Sequence, residues 1–386
     1  MTDDLRVLMV AHTPWDLRLG APSVQMHIAE HLRALGHHVD FLGSAEVVPR
    51  PPQTRIGQLL VPSFGRRAVP AVRARAQEYD VIDAHQGNLP VQRSDLGFDG
   101  VLVTRSAGLT HAYRRFLDSI PQRWESAPPT NRWAAPVRRR KARTEMRHAE
   151  ASFRASDLIL VPNAAEAEEL AAMGFGAVTR VVANGIPDEL LHRAAADRGA
   201  DAGRASERRV SVIATWDLRK GRLDWPRILA AVRSRVPEAT FTFLGTGVAE
   251  ERVLADLGHP EGVHVVPTYD PTTLPDLLAG TKAGALASYV EGFGLGLVEQ
   301  MACGVPSVAY DVPGPRHTIG ALDRDFLVPV GDVTAFADQL VRLLTMDTHT
   351  FAGLARRARD AATHYRYSAI AAETLQAYRS ACTRNR

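Results

Sequence analysis

Short apolar runs alternate with amphipathic stretches along most of the chain. Arg6 to His12 (RVLMVAH) is an apolar run that ends in a polar loop, Thr13 to Gly20. A helix is predicted to open near Pro22-Ser23, with Ile28, Leu32 and Leu35 marking its buried face and Gly36 ending it. His38 to Leu42 reads as the next strand, giving a βαβ opening and a parallel sheet. Further strands are expected at Asp80–His85, Val101–Thr104, Asp157–Val161 and Arg180–Ala183. The last runs into the turn Asn184-Gly185-Ile186-Pro187.

A second series follows: Val210–Thr215, Thr240–Leu244, Val263–Val266, Gly284–Ser288, Ser307–Tyr310 and Phe326–Val328. Helices alternate with these strands, for example Pro226–Val236 and Val333–Leu344. A helix is expected from Ala361 onward, with Tyr365, Ile370, Leu375 and Tyr378 on its apolar side. Pro49–Pro70 reads as a mobile loop with one short element. Thr110–Trp133, broken by Pro121, Pro128 and Pro129, is a candidate cover for a substrate, and Ala135–Ser156 is one helix. The low-hydrophobicity stretch Leu190–Arg209 is the best linker. The fold class is therefore α/β, with two Rossmann-like domains across a cleft: residues 1–187, a linker at 188–209, and residues 210–364.

Composition narrows the function without naming it. The chain has 386 residues, 45% hydrophobic, enough for two or three domains with their own cores. A net charge of +3 argues against a general nucleic-acid binder. The densest basic cluster is Arg138-Arg139-Arg140-Lys141 with Arg143 and Arg147. Two cysteines, Cys303 and Cys382, make neither a disulfide framework nor a zinc site and suit a reducing compartment. The run Val7–Ala11 is too short for a signal-peptide core, and nothing approaches the ~20 apolar residues of a membrane span. A cytoplasmic protein is expected.

The chemistry concentrates in Ala287–Pro315. Glu291 precedes the turn Gly292-Phe293-Gly294-Leu295-Gly296, and Glu299 follows in a short helix predicted over Leu295–Cys303. Gly304 closes that helix and Pro306 stops it. A glycine turn entering a helix N-terminus offers free N–H groups to an anion. Flanking carboxylates supply acceptors for hydroxyl groups, the combination that a sugar joined to a nucleotide diphosphate requires.

These residues resemble the retaining GT-B glycosyltransferases of family 4. The likeness rests on Glu291-x7-Glu299 within EGFGLGLVEQMACGVPSVA, and more weakly on Asn184-Gly185, Lys220-Gly221 and Leu244-Gly245-Thr246-Gly247. It implies that a terminal helix, about 365–386, returns to the N-terminal domain. It also implies that Glu291 contacts the transferred sugar, that the backbone of Gly292, Phe293, Gly294 and Leu295 holds sugar and diphosphate, and that Glu299 binds the ribose hydroxyls. Gly245 and Gly20 join these as donor-binding candidates, Gly20 equally readable as a plain turn glycine.

Two departures stand out. Where the family carries a Gly-Arg pair ahead of the lysine, this chain reads Ala214-Thr215-Trp216. Lys220 remains, and Arg219 or Arg222 is left to supply the second cation, Arg219 preferred. Where relatives place a histidine before the glycine of RSAGLTH, Ala107 stands, with His111 four residues on as a possible replacement. His12, Asp16, His85 and His111 are candidate acceptor residues at strand ends. Asp323-Arg324-Asp325 looks like a D-x-D metal motif but is read as a turn. No residue set has metal spacing, so metal-independent catalysis without a separate cofactor is expected.

The resulting expectation is transfer of a hexosyl or aminohexosyl unit, UDP-sugar favoured, to a small polyol or aminocyclitol, as in antibiotic assembly. Asp16 with Asp83 or Asp95 would take ammonium groups. Alternatives are a lipid-linked or cell-envelope acceptor, with the basic 138–147 helix on a membrane surface, a sugar-nucleotide epimerase or hydrolase, or a catalytically silent nucleotide-sugar-binding protein.

Overall fold

Among the described residues, twelve strands form two six-stranded sheets, both with every pairing parallel. They are seen in a computed structural model that describes residues 4–17, 20–47, 63–123, 135–196 and 201–385. The chain divides into unit 1, Met1–Ala183 with Ile370–Arg386, and unit 2, Asn184–Ala369.

Unit 1 carries β1 (Arg6–Val10), β2 (His38–Leu42), β3 (Val81–His85), β4 (Val101–Arg105), β5 (Leu158–Val161) and β6 (Thr179–Val181), ordered β2-β1-β3-β4-β5-β6. Every residue of β3, β4 and β5 is buried, as expected for parallel strands covered on both faces. Unit 2 carries β7 (Arg209–Ile213), β8 (Thr240–Leu244), β9 (Val263–Val266), β10 (Thr281–Leu286), β11 (Ser307–Tyr310) and β12 (Leu327–Val328), ordered β12-β11-β10-β7-β8-β9.

The first helix, Gly20–Ala34, buries Ile28 and Leu32, but Leu35 is 57% exposed. Gly36 N–H bonds the Arg33 carbonyl and His37 N–H that of Leu32, so a Schellman turn carries Leu35 off the helical face. Within Pro49–Pro70, residues 49–62 lie outside the described residues. Phe64–Arg73 is a helix with Ala68 and Val72 in the core, not a loop. Thr110–Arg123 is likewise one helix, with Pro121 only in its final turn, and 124–133 lie outside the described residues.

The expected linker is the largest correction. It contains the helices Asp188–Ala196 and Asp201–Ser206, with Leu190, Ala194 and Ala205 buried. Aspartate and arginine lower the hydrophobicity of this stretch, yet its alanines are the best helix formers and pack closely. The expected C-terminal helix is broken: Thr348–Ala362 ends before Thr363–Arg366, and Tyr367–Arg384 follows. At the break Ile186 and Arg366 form an isolated parallel bridge within unit 2. The later residues of Tyr367–Arg384 belong to unit 1. There the Tyr378 hydroxyl donates to Asp83 and stands 3.4 Å from Arg105, and that pair is fully buried.

Candidate active site

In unit 2, β10 ends at Leu286 and the chain turns through Gly292–Gly294 into the helix Leu295–Ala302. Gly294 sits at the N-cap with φ +87°, a left-handed conformation that brings no side-chain cap to the first N–H groups. Cys303 and Gly304 end the helix. From a segment expected to be a linker, Arg204 reaches the Cys303 carbonyl at 2.5 Å, placing a cation at the negative helix end.

The glycine turn is braced from behind. Gly314 N–H donates to the Glu291 carbonyl at 2.9 Å, and a Cβ on Gly314 would lie 2.6 Å from Phe293 N. Gly314→Ala should push the turn out of place and cost about 1–3 kcal/mol of stability, read as a lower Tm together with weaker nucleotide binding. Unchanged values for both would remove the bracing role. The Phe293 ring packs against Tyr365 with centroids 5.4 Å apart, so its side chain is core and only its backbone borders the turn.

Lys220 arrives on a separate loop. Asp217 caps the short 3-10 turn Leu218–Lys220, accepting from Lys220 N–H at 3.2 Å and from the Thr215 hydroxyl at 2.8 Å. Tyr289 N–H donates to the Arg219 carbonyl at 2.8 Å, tying this loop to the one after β10. The Lys220 ammonium then donates to the Glu291 carboxylate, and the Ser288 hydroxyl approaches the same oxygen at 3.4 Å. Burial pushes the Glu291 carboxyl up. The charge and hydrogen bond of Lys220, with Arg219 and the Phe293 N–H, outweigh that and hold it below the ordinary range.

Arg219 and Arg222 part company. Arg219 acts on Glu291 through its charge and stands 3.5 Å from Asp217. Arg222 points to Asp256 at 3.8 Å, and Asp256 also accepts from the Trp216 indole at 2.9 Å. Trp216, which stands where the resemblance leads one to expect a Gly-Arg pair, is thus a buried side chain that anchors Asp256. Arg219→Ala should lower kcat about tenfold or more, whereas Arg222→Ala should leave it near wild type. Steady-state rates showing the reverse order would reassign the second phosphate cation.

Glu299 lies one turn inside the helix, and burial pushes its carboxyl up to about 7. The charges of Glu299 and Cys303 also help to raise the phenol of Tyr269, after burial. That ring edge lies 3.3 Å from where a Cβ on Gly245, φ +70°, would stand. Glu299, Tyr269 and Gly245 therefore share one neighbourhood. Tyr269 escaped the sequence reading because nothing local in PTYDP marks it.

Unit 1 gathers a second cluster. The rings of His12 and His85 lie 6.1 Å apart beyond β1 and at the end of β3. Burial lowers His12, against an Asn88 hydrogen bond and the Glu145 charge that raise it. Burial, His12 and Arg105 bring His85 down to about 4, against the opposing charge of Asp83, so it is neutral near pH 7. His111 instead opens the helix Thr110–Arg123, its Nε2 3.6 Å from Glu150. Asp16 is partly exposed on the loop after β1, and Gly20 begins the following helix. Asp83 is consumed by Arg105, and Asp95 accepts from the Gln92 N–H in a capping box. Asp83 is thereby unavailable as an ammonium ligand, whereas Asp95 stays exposed. Glu166, unremarked in the sequence, accepts from the Ser106 hydroxyl at 2.7 Å, and Ser106 in turn accepts from Gly108 N–H. It thereby fixes the RSAGLTH loop, and burial brings its carboxyl up to about 7.

Asp323-Arg324-Asp325 forms a 3-10 turn with Arg342 on Asp325. Among the described residues no group of three His, Cys, Asp or Glu stands ready to hold a metal. No helix among them is long and apolar enough to cross a membrane.

The two parallel sheets and the glycine turn between β10 and β11 define the fold class as GT-B. The structure matches sucrose-phosphate synthase from Thermosynechococcus elongatus with a TM-score of 0.72 and 19% identity, covering 97% of this chain and 98% of that one. It matches Anabaena Alr3699/HepE in complex with UDP with a TM-score of 0.67 and 20% identity, covering 97% and 100%.

More particularly, residues 214–346 match the family described as "Glycosyl transferases group 1". A D-inositol 3-phosphate glycosyltransferase of Rhodococcus erythropolis is 32% identical over 165 residues, 40% of this chain and 37% of that protein. An N-acetyl-alpha-D-glucosaminyl L-malate synthase of Bacillus anthracis is 41% identical over 85 residues, 22% of each chain. The matched stretch thus spans well under half the length of these curated relatives.

Proposed function

We propose that the protein is a retaining glycosyltransferase that moves a hexosyl unit from a nucleotide diphosphate sugar, UDP-sugar favoured, to a hydroxyl of a small polyol. The carrying observation is the Lys220–Glu291 pair standing beside the uncapped helix N-terminus at Gly294–Leu295, with Glu299 one turn further in.

Each group has a role in this reading. The N–H groups at the helix start and the Lys220 ammonium, with Arg219, take up the charge that develops on the departing diphosphate. Glu291, kept ionised by Lys220, faces the donor sugar and stabilises the positive charge that grows at its anomeric carbon. Glu299 accepts from the ribose hydroxyls, with Gly245 beside the nucleotide. The departing phosphate takes the proton of the attacking acceptor hydroxyl. Retention follows from the family resemblance. His12 and His85, with Asp16 on the loop after β1, border the acceptor. A polyol is favoured over an aminocyclitol because Asp83 is already committed to Arg105.

Incubation with UDP-hexoses and a panel of polyols, with the product anomer read by NMR, tests the proposal. A product of retained configuration is expected. Hydrolysis or isomerisation that needs no acceptor would point to a hydrolase or epimerase, and nucleotide-sugar binding without turnover across the panel to a silent binding protein. A lipid-linked acceptor is the second reading, favoured by the basic face of the helix Ala135–Ala155.

A further inference from the structure

Two helices of unit 1, Thr110–Arg123 and Ala135–Ala155, pack against each other near the carboxyl ends of β3 and β4. Thr110 N–H donates to the Gln86 side chain at 3.2 Å, just after β3. Ala149 N lies 3.5 Å from where a Cβ on Gly87 would stand, and Leu109 and Ala149 share one core cluster. The level of residues 109 and 149 therefore marks the edge of the sheet. Arg143 lies about 9 Å further along its helix, away from Ala149.

Between the helices runs a groove of about 500 Å³ lined by Arg114, Arg139, Ala142, Arg143, Met146 and Arg147. Arg114 is answered by Asp118 on its own helix at 3.0 Å. Arg139, Arg143 and Arg147 form no hydrogen bond or ion pair among the described residues. Their i, i+4, i+8 spacing puts three like charges on one exposed stripe, an arrangement that weakens a helix left alone in water. Each helix also exposes a large apolar side chain, Leu117 at 52% and Val137 at 39%. Only Leu17, Leu35 and Val181 are comparably exposed large hydrophobics among the described residues.

An open cationic groove between two helices that each expose an apolar side chain is complementary to a surface that presents phosphates above hydrocarbon. We propose that this helix pair docks the protein peripherally on membranes rich in anionic phospholipids. The arginines meet the headgroup phosphates, and Leu117 and Val137 enter the interface. This docking does not rest on the transferase reading, because it requires neither donor nor acceptor.

Sedimentation with vesicles of phosphatidylcholine alone, or mixed with phosphatidylglycerol, tests it without any sugar nucleotide. Partitioning should be roughly tenfold or more higher on the anionic vesicles and should fall as salt rises. The triple variant Arg139→Glu, Arg143→Glu, Arg147→Glu should partition as weakly on anionic vesicles as the wild type does on phosphatidylcholine, with its Tm kept. The double variant Leu117→Ser, Val137→Ser should weaken vesicle binding with the charge intact. Equal wild-type binding to both vesicles would overturn the proposal, as would full binding by the folded triple variant. Release by inorganic phosphate too dilute to screen charge would make the groove a soluble-phosphate site and also overturn it.

Discussion

Lys220→Ala is expected to lower kcat by about two to three orders of magnitude, the scale seen when one preorganised charge-stabilising donor is removed. Lys220 bridges the two demands of the proposed reaction. Before the donor binds, its ammonium neutralises Glu291 in a half-buried setting. Once a diphosphate arrives, the same ammonium is placed to meet the leaving group. The substitution also strands the Glu291 carboxylate without its main counter-charge, which drives that carboxyl upward and lowers stability. The double variant Lys220→Ala, Glu291→Gln separates these effects. It should recover much of the lost Tm and none of the rate. A single variant with kcat within about threefold of wild type would remove Lys220 from the chemistry.

Donor affinity should weaken about tenfold for each pH unit below about 7 and level off above it, because in the proposed site the ribose hydroxyls need the ionised Glu299 as acceptor. The sign follows from burial. In the folded chain the carboxyl titrates at about 7, above the ordinary 4.5, so the protonated form is favoured in the empty site. Stability from this group is therefore fully present below the ordinary carboxylate range. It is lost as pH rises toward 7, then stays constant. Binding and folding consequently respond to pH in opposite directions at one residue. The measurement is best made with an intact sugar nucleotide, whose diphosphate charge is constant over this range. Glu299→Gln should abolish the pH dependence and bind weakly throughout. If it retains tight, pH-dependent binding, the ribose lies elsewhere.

Much of this arrangement can be read from the residues alone, for identifiable reasons. Buried parallel strands such as VIDAH and VLVTR are short apolar runs between breakers, and their ends fall within a residue or two of prediction. The stretch from Glu291 to Pro306 is legible because turn, acids and helix stop are contiguous. What escapes depends on contacts through space. Tyr269 approaches Glu299 from beyond β9, Gly314 supports Phe293, and Glu166 holds Ser106 from 60 residues away. The supposed linker failed differently. Its alanines bury little area each, so hydrophobicity understated two helices, one of which brings Arg204 to the end of the site helix.

Tyr378 sets an order of events during synthesis. Its hydroxyl completes the buried Asp83–Arg105 pair from 295 residues downstream of Asp83. At ribosomal speeds of about 5–20 residues per second, the 273 residues separating Arg105 from Tyr378 take roughly 15–55 s to add. Only after Val181, for the last roughly 10–40 s of that interval, are β1–β6 all translated, and they still lack the phenol that caps their buried charges. Meanwhile β7–β12 gain every strand and covering helix of their own unit before residue 370 is reached. The sheet translated first is finished last, and for roughly 10–40 s it is the portion of the nascent chain most open to chaperones and proteases.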